Sequence, residues 1–157
     1  MSLFYKEIYL QLNNNKKTVN IQKNDLLELK SFEIFPIILE NIKEGTRLSI
    51  TDIEQLESCF GERVEKALEL VGNNRVKKYI FNPSGIVRWI VNGHHDDYLI
   101  IEHSFCSCKD FLFHALLKKT IPSCYHLLAR EIAERTAKYA SIEVNDASYH
   151  SMMEEWL

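Results

Sequence analysis

The chain holds 157 residues, enough for one packed domain with appendages. An apolar and aromatic content of 46% supports a real core and excludes a disordered chain. A formal net charge of −3 excludes a global basic field that gathers nucleic acid, so any DNA contact has to come from a local patch.

Met1-Ser2-Leu3-Phe4-Tyr5-Lys6-Glu7 lacks the basic region, apolar run and cleavage site of a secretory signal. No apolar stretch approaches the roughly 18 residues of a membrane span. The four cysteines are not spread as a disulfide framework. The expectation is a soluble, intracellular protein in a reducing compartment, with no membrane partner.

Residues 3–12 alternate in part, and Asn13-Asn14-Asn15-Lys16-Lys17 makes a polar turn before Thr18-Val19-Asn20-Ile21, which predicts a β-hairpin or a pair of edge strands. Asn24-Asp25 predicts a helix cap, with its helix running to about Ser31. The apolar run over 32–43 breaks at Pro36, and proline suits a first turn, so a helix is expected from Pro36 to Gly45. Residues 1–50 therefore read as an N-terminal extension of hairpin plus helix.

Thr51-Asp52-Ile53-Glu54 resembles a capping box, which places Thr51 or Ser49 at the start of a helix ending near Gly61. Val64, Ala67, Leu68 and Val71 repeat at helical spacing and predict a second helix over 62–71, stopped by Gly72-Asn73-Asn74. Residues 76–81, 87–91 and 98–105 are rich in β-branched and aromatic side chains and are separated by two turn sequences. They predict a three-stranded antiparallel meander whose last strand runs directly into Cys106.

A helix is expected over 110–119, with Phe113, Leu116 and Leu117 on one face. Pro122-Ser123 is expected to start another that runs to about Tyr139 and contains an i, i+4 pair of Glu131 and Arg135. In the tail, 141–157, Tyr149, Met152, Met153 and Trp156 stand at i, i+3, i+4 and i+7. That stripe suits either a core helix or a partner-binding one.

Cys106 and Cys108 lie two apart at the end of a predicted strand, where side chains at i and i+2 share one side. Cys124 and His126 are also two apart, but at a helix start. Inside a regular helix that spacing turns side chains about 200° apart. Both reach one metal only if Cys124 lies at or before the first turn, a boundary that Pro122 and Ser123 supply. A helix N-terminus also favours a thiolate. Buried cysteines with a core histidine are the plainer alternative. Two half-sites bracketing a short helix and totalling four ligands favour a single zinc ion, with Lys109 to Ser123 as the loop it closes. A Cys3His set fills the tetrahedron, so the metal is expected to be structural. His103 and His114 compete for the fourth position.

Cys-x-Cys, a spacer, then Cys-x-His-Leu-Leu-Ala is the pattern of the SWIM zinc finger. Residues 56–129 resemble the small SWIM protein of the Shu complex, a group of homologous-recombination mediators. The resemblance rests on Leu56…Phe60-Gly61, Ala67-Leu68…Leu70-Val71, Ser84-Gly85…Val91…Gly93, Phe105-Cys106-Ser107-Cys108…Phe111…Phe113 and Cys124…His126-Leu127-Leu128-Ala129. It implies an α+β fold in which N-terminal strands and helices (1–50) precede a SWIM domain (51–140) with its finger at 99–130, followed by a C-terminal tail or helix (141–157). It also implies a nuclear adaptor that binds a RecA-fold recombinase paralogue, or the recombinase itself, and supports filament assembly on single-stranded DNA. Other SWIM proteins serve as nucleic-acid-binding fingers or as protein–protein modules in ubiquitin and transcription pathways. Tyr125 stands where the family usually has a basic residue, and residues 1–21 have no counterpart.

Cys59 reads as a core thiol, and His94-His95-Asp96-Asp97 as a solvated turn. Lys109, Lys118, Lys119, Arg130, Arg135 and Lys138 could touch phosphates. Glu102, Asp110, Glu131 and Glu134 dilute them, which favours a solvated mixed surface. No nucleophile–base pair, Gly-rich phosphate loop or carboxylate dyad stands out, so no catalytic residue is assigned and an enzyme is not expected.

Overall fold

The computed structural model describes Leu39 and residues 42–157. The expected hairpin over 3–21, the helix over 24–31 and most of the helix from Pro36 lie outside the described residues.

Helix α1, Ile50–Phe60, starts at Ser49, whose extended backbone (φ −78°, ψ 167°) turns its hydroxyl onto the first turn. The Asp52 N–H donates to Ser49 Oγ at 3.2 Å, and the Ser49 N–H donates to Asp52 Oδ2 at 2.8 Å. The capping box is therefore Ser49/Asp52 rather than Thr51/Glu54. Gly61, at φ 59°, ends α1 and lets the chain re-enter a helix within two residues. Helix α2, Arg63–Gly72, buries Val64, Ala67, Leu70 and Val71.

Strands β1 (Val76–Asn82), β2 (Ile86–Asn92), β3 (Asp97–Ile101) and β4 (Phe105–Cys106) pair antiparallel in sequence order. The third predicted strand is thus two strands. Glu102 takes a left-handed conformation (φ 50°) and the Ser104 N–H bonds the Ile101 carbonyl, so the chain reverses and Cys106 returns opposite Ile100. A fifth strand, β5 (Ala140–Asn145), lies parallel to β1 at the far edge, giving a mixed sheet of order β4-β3-β2-β1-β5. It begins where the tail was expected. The whole is an α+β arrangement.

Between β4 and β5, residues Phe111–Leu117 form a π-helical turn rather than an α-helix. Helix α3, Tyr125–Arg135, follows with Cys124 as its N-cap. It is shorter than expected at both ends: Pro122 and Ser123 precede it, and Ala137 at φ 54° follows it. Tyr139, expected at its end, instead packs edge-on to Trp89 with centroids 4.9 Å apart. A 3-10 turn, Asp146–Ser148, leads into α4, Tyr149–Trp156. Asp146 ties this turn to the β1–β2 hairpin by accepting from the Ser84 hydroxyl and N–H at 2.8 and 3.0 Å.

The sheet separates two apolar clusters. On one face, Val76, Trp89, Val91 and Ile100 pack with α1, α2 and α3. On the other, Phe81, Ile90 and Leu99 pack with Trp156 of α4, and Met152, Met153 and Tyr149 border that cluster. The C-terminal stripe is therefore spent on the second face of the sheet. Trp156 lies 4.9 Å from the Tyr79 ring and Tyr149 lies 4.9 Å, edge-on, from Phe81. Among the described residues no helix is long and apolar enough to cross a membrane.

Trp156→Ala should lower unfolding stability by about 3 kcal/mol, because it empties the centre of the contact between α4 and the sheet. Urea denaturation followed by far-UV circular dichroism measures this. An unchanged midpoint would show that α4 contributes nothing there.

Candidate metal centre

β4 and the turn after it present Cys106 and Cys108, and the N-terminus of α3 presents Cys124 and His126. Their three sulfurs and one ring nitrogen all lie within 4.8 Å of one another, and all four residues are buried. Cys124 sits before the helix, with extended backbone (φ −78°, ψ 160°), so the two-residue spacing to His126 converges rather than diverges. The 15 residues between the half-sites hold the π turn, whose Phe111 is buried in the main core.

The donor set fits a metal cation on three observations. First, all cysteines here are free thiols, so nothing else consumes them. Second, both ring nitrogens of His126 are buried without a hydrogen-bond partner, a costly state for an imidazole that a metal ion would relieve. Third, the sulfurs already accept backbone hydrogen bonds that orient metal-bound thiolates: Phe111 N–H donates to Cys108 Sγ at 3.2 Å and Leu127 N–H to Cys124 Sγ at 3.4 Å.

Electrostatics points the same way. Burial pushes the Cys106 and Cys124 thiols far above their ordinary range, while hydrogen bonds from Cys106 and Cys124 hold Cys108 far below it. Burial thus opposes ionisation of the Cys106 and Cys124 thiols on their own. A divalent cation reverses that balance, since thiolates and neutral imidazole are its ligands. The buried Cys3His group can therefore hold one metal ion.

Two tyrosine rings pack against the imidazole. Tyr98 packs against it with centroids 4.0 Å apart and rings tilted by 34°, and Tyr125 with centroids 3.9 Å apart and rings tilted by 38°. Tyr125 fills the position between Cys124 and His126, and Lys66 Nζ lies 5.8 Å over its ring. Tyr98 is placed in turn by Gly93: a Cβ there would meet Tyr98 Cε2 at 2.5 Å. Gly93, Tyr98, Phe111 and Leu127 thus act on the site through packing or backbone. Gly93, Phe111 and Leu127 stood among the motif residues of the sequence, whereas Tyr98 left no mark there.

The rival ligands lie outside this cluster. His114 Nδ1 bonds Asp110 Oδ1 at 3.0 Å, and Arg63 lies 3.5 Å from the same oxygen. His103 Nδ1 bonds Glu131 Oε1 at 2.8 Å. His103, Glu131 and Glu134 form a second group of possible ligands, but a guanidinium already occupies it. Arg130 donates to Glu131 at 2.6 Å, lies 2.6 Å from Glu134 and stands 2.8 Å from His103 Nδ1. Arg130 also packs 4.7 Å over Trp89 and is buried, so it belongs to the interior and not to the expected basic surface. Glu131, expected to pair with Arg135, faces Arg130 and His103, while Arg135 reaches the carbonyls of Leu39 and Ile42 and the Glu44 carboxylate. Cys59 is a core thiol raised by burial, and residues 94–97 are exposed.

No family model matches the chain, and no solved structure matches it. Among curated proteins, it is 30% identical over 138 residues to a "Zinc finger SWIM domain-containing protein 7 homolog" of Dictyostelium discoideum, covering 87% of this chain and 86% of that protein. It is also 33% identical over 96 residues to an "Uncharacterized protein" of Archaeoglobus fulgidus, covering 60% of this chain and 74% of that one.

The hydrogen bond to Glu131 raises the pKa of His103 above its ordinary value, against the opposing effect of burial. The ion pair therefore contributes fully below the unfolded value of about 6.5 and is lost as pH rises through the higher folded value. His103→Gln should destabilise the protein more at about pH 5.5 than at about pH 8.5. Equal losses in urea unfolding at the two pH values would show that this pair does not titrate.

Proposed function

Because the chain belongs to the SWIM-domain zinc finger family, we propose that it is a non-enzymatic adaptor with one structural zinc ion on Cys106, Cys108, Cys124 and His126. Its partner is a RecA-fold recombinase paralogue, in an assembly of the Shu type. Through that partner it supports recombinase filaments on single-stranded DNA during homologous-recombination repair in the nucleus. DNA is reached indirectly.

One observation carries the adaptor reading. The four donors converge on one point and are all buried, which suits a closed shell with no ligand position for substrate. Zinc, when bound, supplies a cross-link between the β4 turn and α3. The residues then do the rest: Cys124 caps α3, the tyrosine rings hold His126, and Phe111 anchors the intervening turn. A centre of this kind shapes a surface, which supports a binding role.

Lys109, next to Cys108, and Lys118 and Lys119, at the far end of the π turn, are all exposed and favour a second reading as a direct nucleic-acid-binding finger. The isolated protein would then bind single-stranded DNA with an affinity that falls steeply with salt.

Cys124→Ser or His126→Ala should release the metal and loosen the segment after Phe105, because binding and local folding are coupled. Elemental analysis of the purified variants measures the metal, and unchanged zinc content in either would refute the ligand assignment. Co-expression with the RecA-fold paralogues of the same genome should yield one stable complex. If none co-purifies and recombination repair is intact in a deletion strain, the adaptor reading fails.

A further inference from the structure

The π turn has an outward face that the metal centre does not use. Phe111 is buried and Ala115 packs against the core. Leu112, Phe113, Leu116 and Leu117 point to solvent, the last two 54% and 63% exposed. Phe105 of β4, itself more than a third exposed, extends this face through its edge contact with Phe111, whose ring is 5.9 Å away. Four large apolar side chains on one short turn, with Phe105 of β4 beside them, exceed the scattered exposure normal for a protein surface.

The two flanks of the π turn itself are basic. Lys109 precedes the turn and Lys118 and Lys119 follow it. All three are exposed, and no ion pair engages them among the described residues. Asp110, the carboxylate within this stretch, is already engaged by Arg63 and His114. The basic rim stands out in a chain of net charge −3.

We propose that this face is the docking surface for an amphipathic segment of a protein partner, with an apolar stripe and an acidic flank. The inference rests on the adaptor reading and locates the surface through which the RecA-fold partner is held. A second copy of this chain would set lysines against lysines, which electrostatic complementarity disfavours. Three of the five apolar side chains are leucines, which offer no ring for a base to stack on, so a nucleic acid is the poorer fit.

Two assays test it, each on the full chain with zinc content checked. The first uses labelled helical peptides of about 16 residues, leucine on one face and either glutamate or lysine on the other. The glutamate peptide should bind roughly tenfold tighter than the lysine one. Leu116→Asp should abolish binding, and a Lys118→Glu/Lys119→Glu double variant should invert the preference. The second compares co-purification of the RecA-fold paralogue with the wild type and with zinc-loaded Leu116→Asp, and the variant should lose it. Retention by that variant overturns the surface and leaves the adaptor reading intact. If the wild type captures no paralogue, the adaptor reading fails and the peptide assay decides the surface. Peptide binding that ignores flank charge or survives Leu116→Asp overturns it. So does self-association that Leu116→Asp abolishes, or oligonucleotide binding that depends on the lysines and not on Leu116.

Discussion

Cys124 serves two structures at once. Its sulfur accepts the Leu127 N–H as the cap of α3, and the same sulfur stands in the four-residue cluster with Cys106, Cys108 and His126. The helix it caps is buried at every position from His126 to Ala133, so α3 touches nearly everything else on its side of the sheet. Pinning its first residue to the end of β4 therefore sets where Leu127, Leu128 and Ile132 enter the core. A small rotation at the cap would reach the whole layer, because close-packed interiors do not absorb such shifts gradually.

The same helix carries a second constraint one to two turns further on. Arg130 and Glu131 are both nearly fully buried, and Trp89, His103 and Glu134 complete their surroundings. A paired charge inside a protein is costly to bury and more costly to leave alone. The arrangement therefore fixes the axial position of α3 against β2 rather than adding much to overall stability. Metal-ligand cluster and ion network act as two pins on one rod, both against the β2–β3–β4 side of the sheet. The segment between the half-sites is left with little choice. It is short, both ends are held, and Phe111 and Ala115 are drawn inward, so the remaining large side chains of the π turn face out.

Part of this was legible in the sequence and part was not, for identifiable reasons. The helical repeat of Val64, Ala67 and Val71 and the β-branched runs around Tyr79, Trp89 and Leu99 mark elements directly, because each obeys one period over several residues. The two-residue spacing of Cys106 and Cys108 and of Cys124 and His126 is visible in the same way, and the structure brings these four together. Arg130 misled because a guanidinium on a helix reads as solvent-facing unless its partners are known, and they come from β2, from the β3–β4 turn and from the next helical turn. β5 escaped notice because it is an edge strand whose alternation, Ile142 and Val144 among polar residues, is too short to stand out. The break after Ile101 is carried by Glu102 at positive φ, a conformation for which glutamate gives no signal. In the π turn the spacing of apolar residues was correct for a helix, but the number of residues per turn was not, and that decides which of them face inward.

The parallel pairing of β5 with β1 also bears on assembly. β1 meets β2 across a three-residue turn, yet its other edge waits for a partner roughly sixty positions later in the chain. During synthesis that partner emerges only after α3. Until then β1 exposes an open row of backbone donors and acceptors beside Tyr79 and Phe81. An unpaired strand of this kind recruits other chains as readily as its own. Whatever fixes α3 early therefore also shortens the time for which the nascent sheet is adhesive, so a site that looks purely architectural in the finished molecule becomes a safeguard during its assembly.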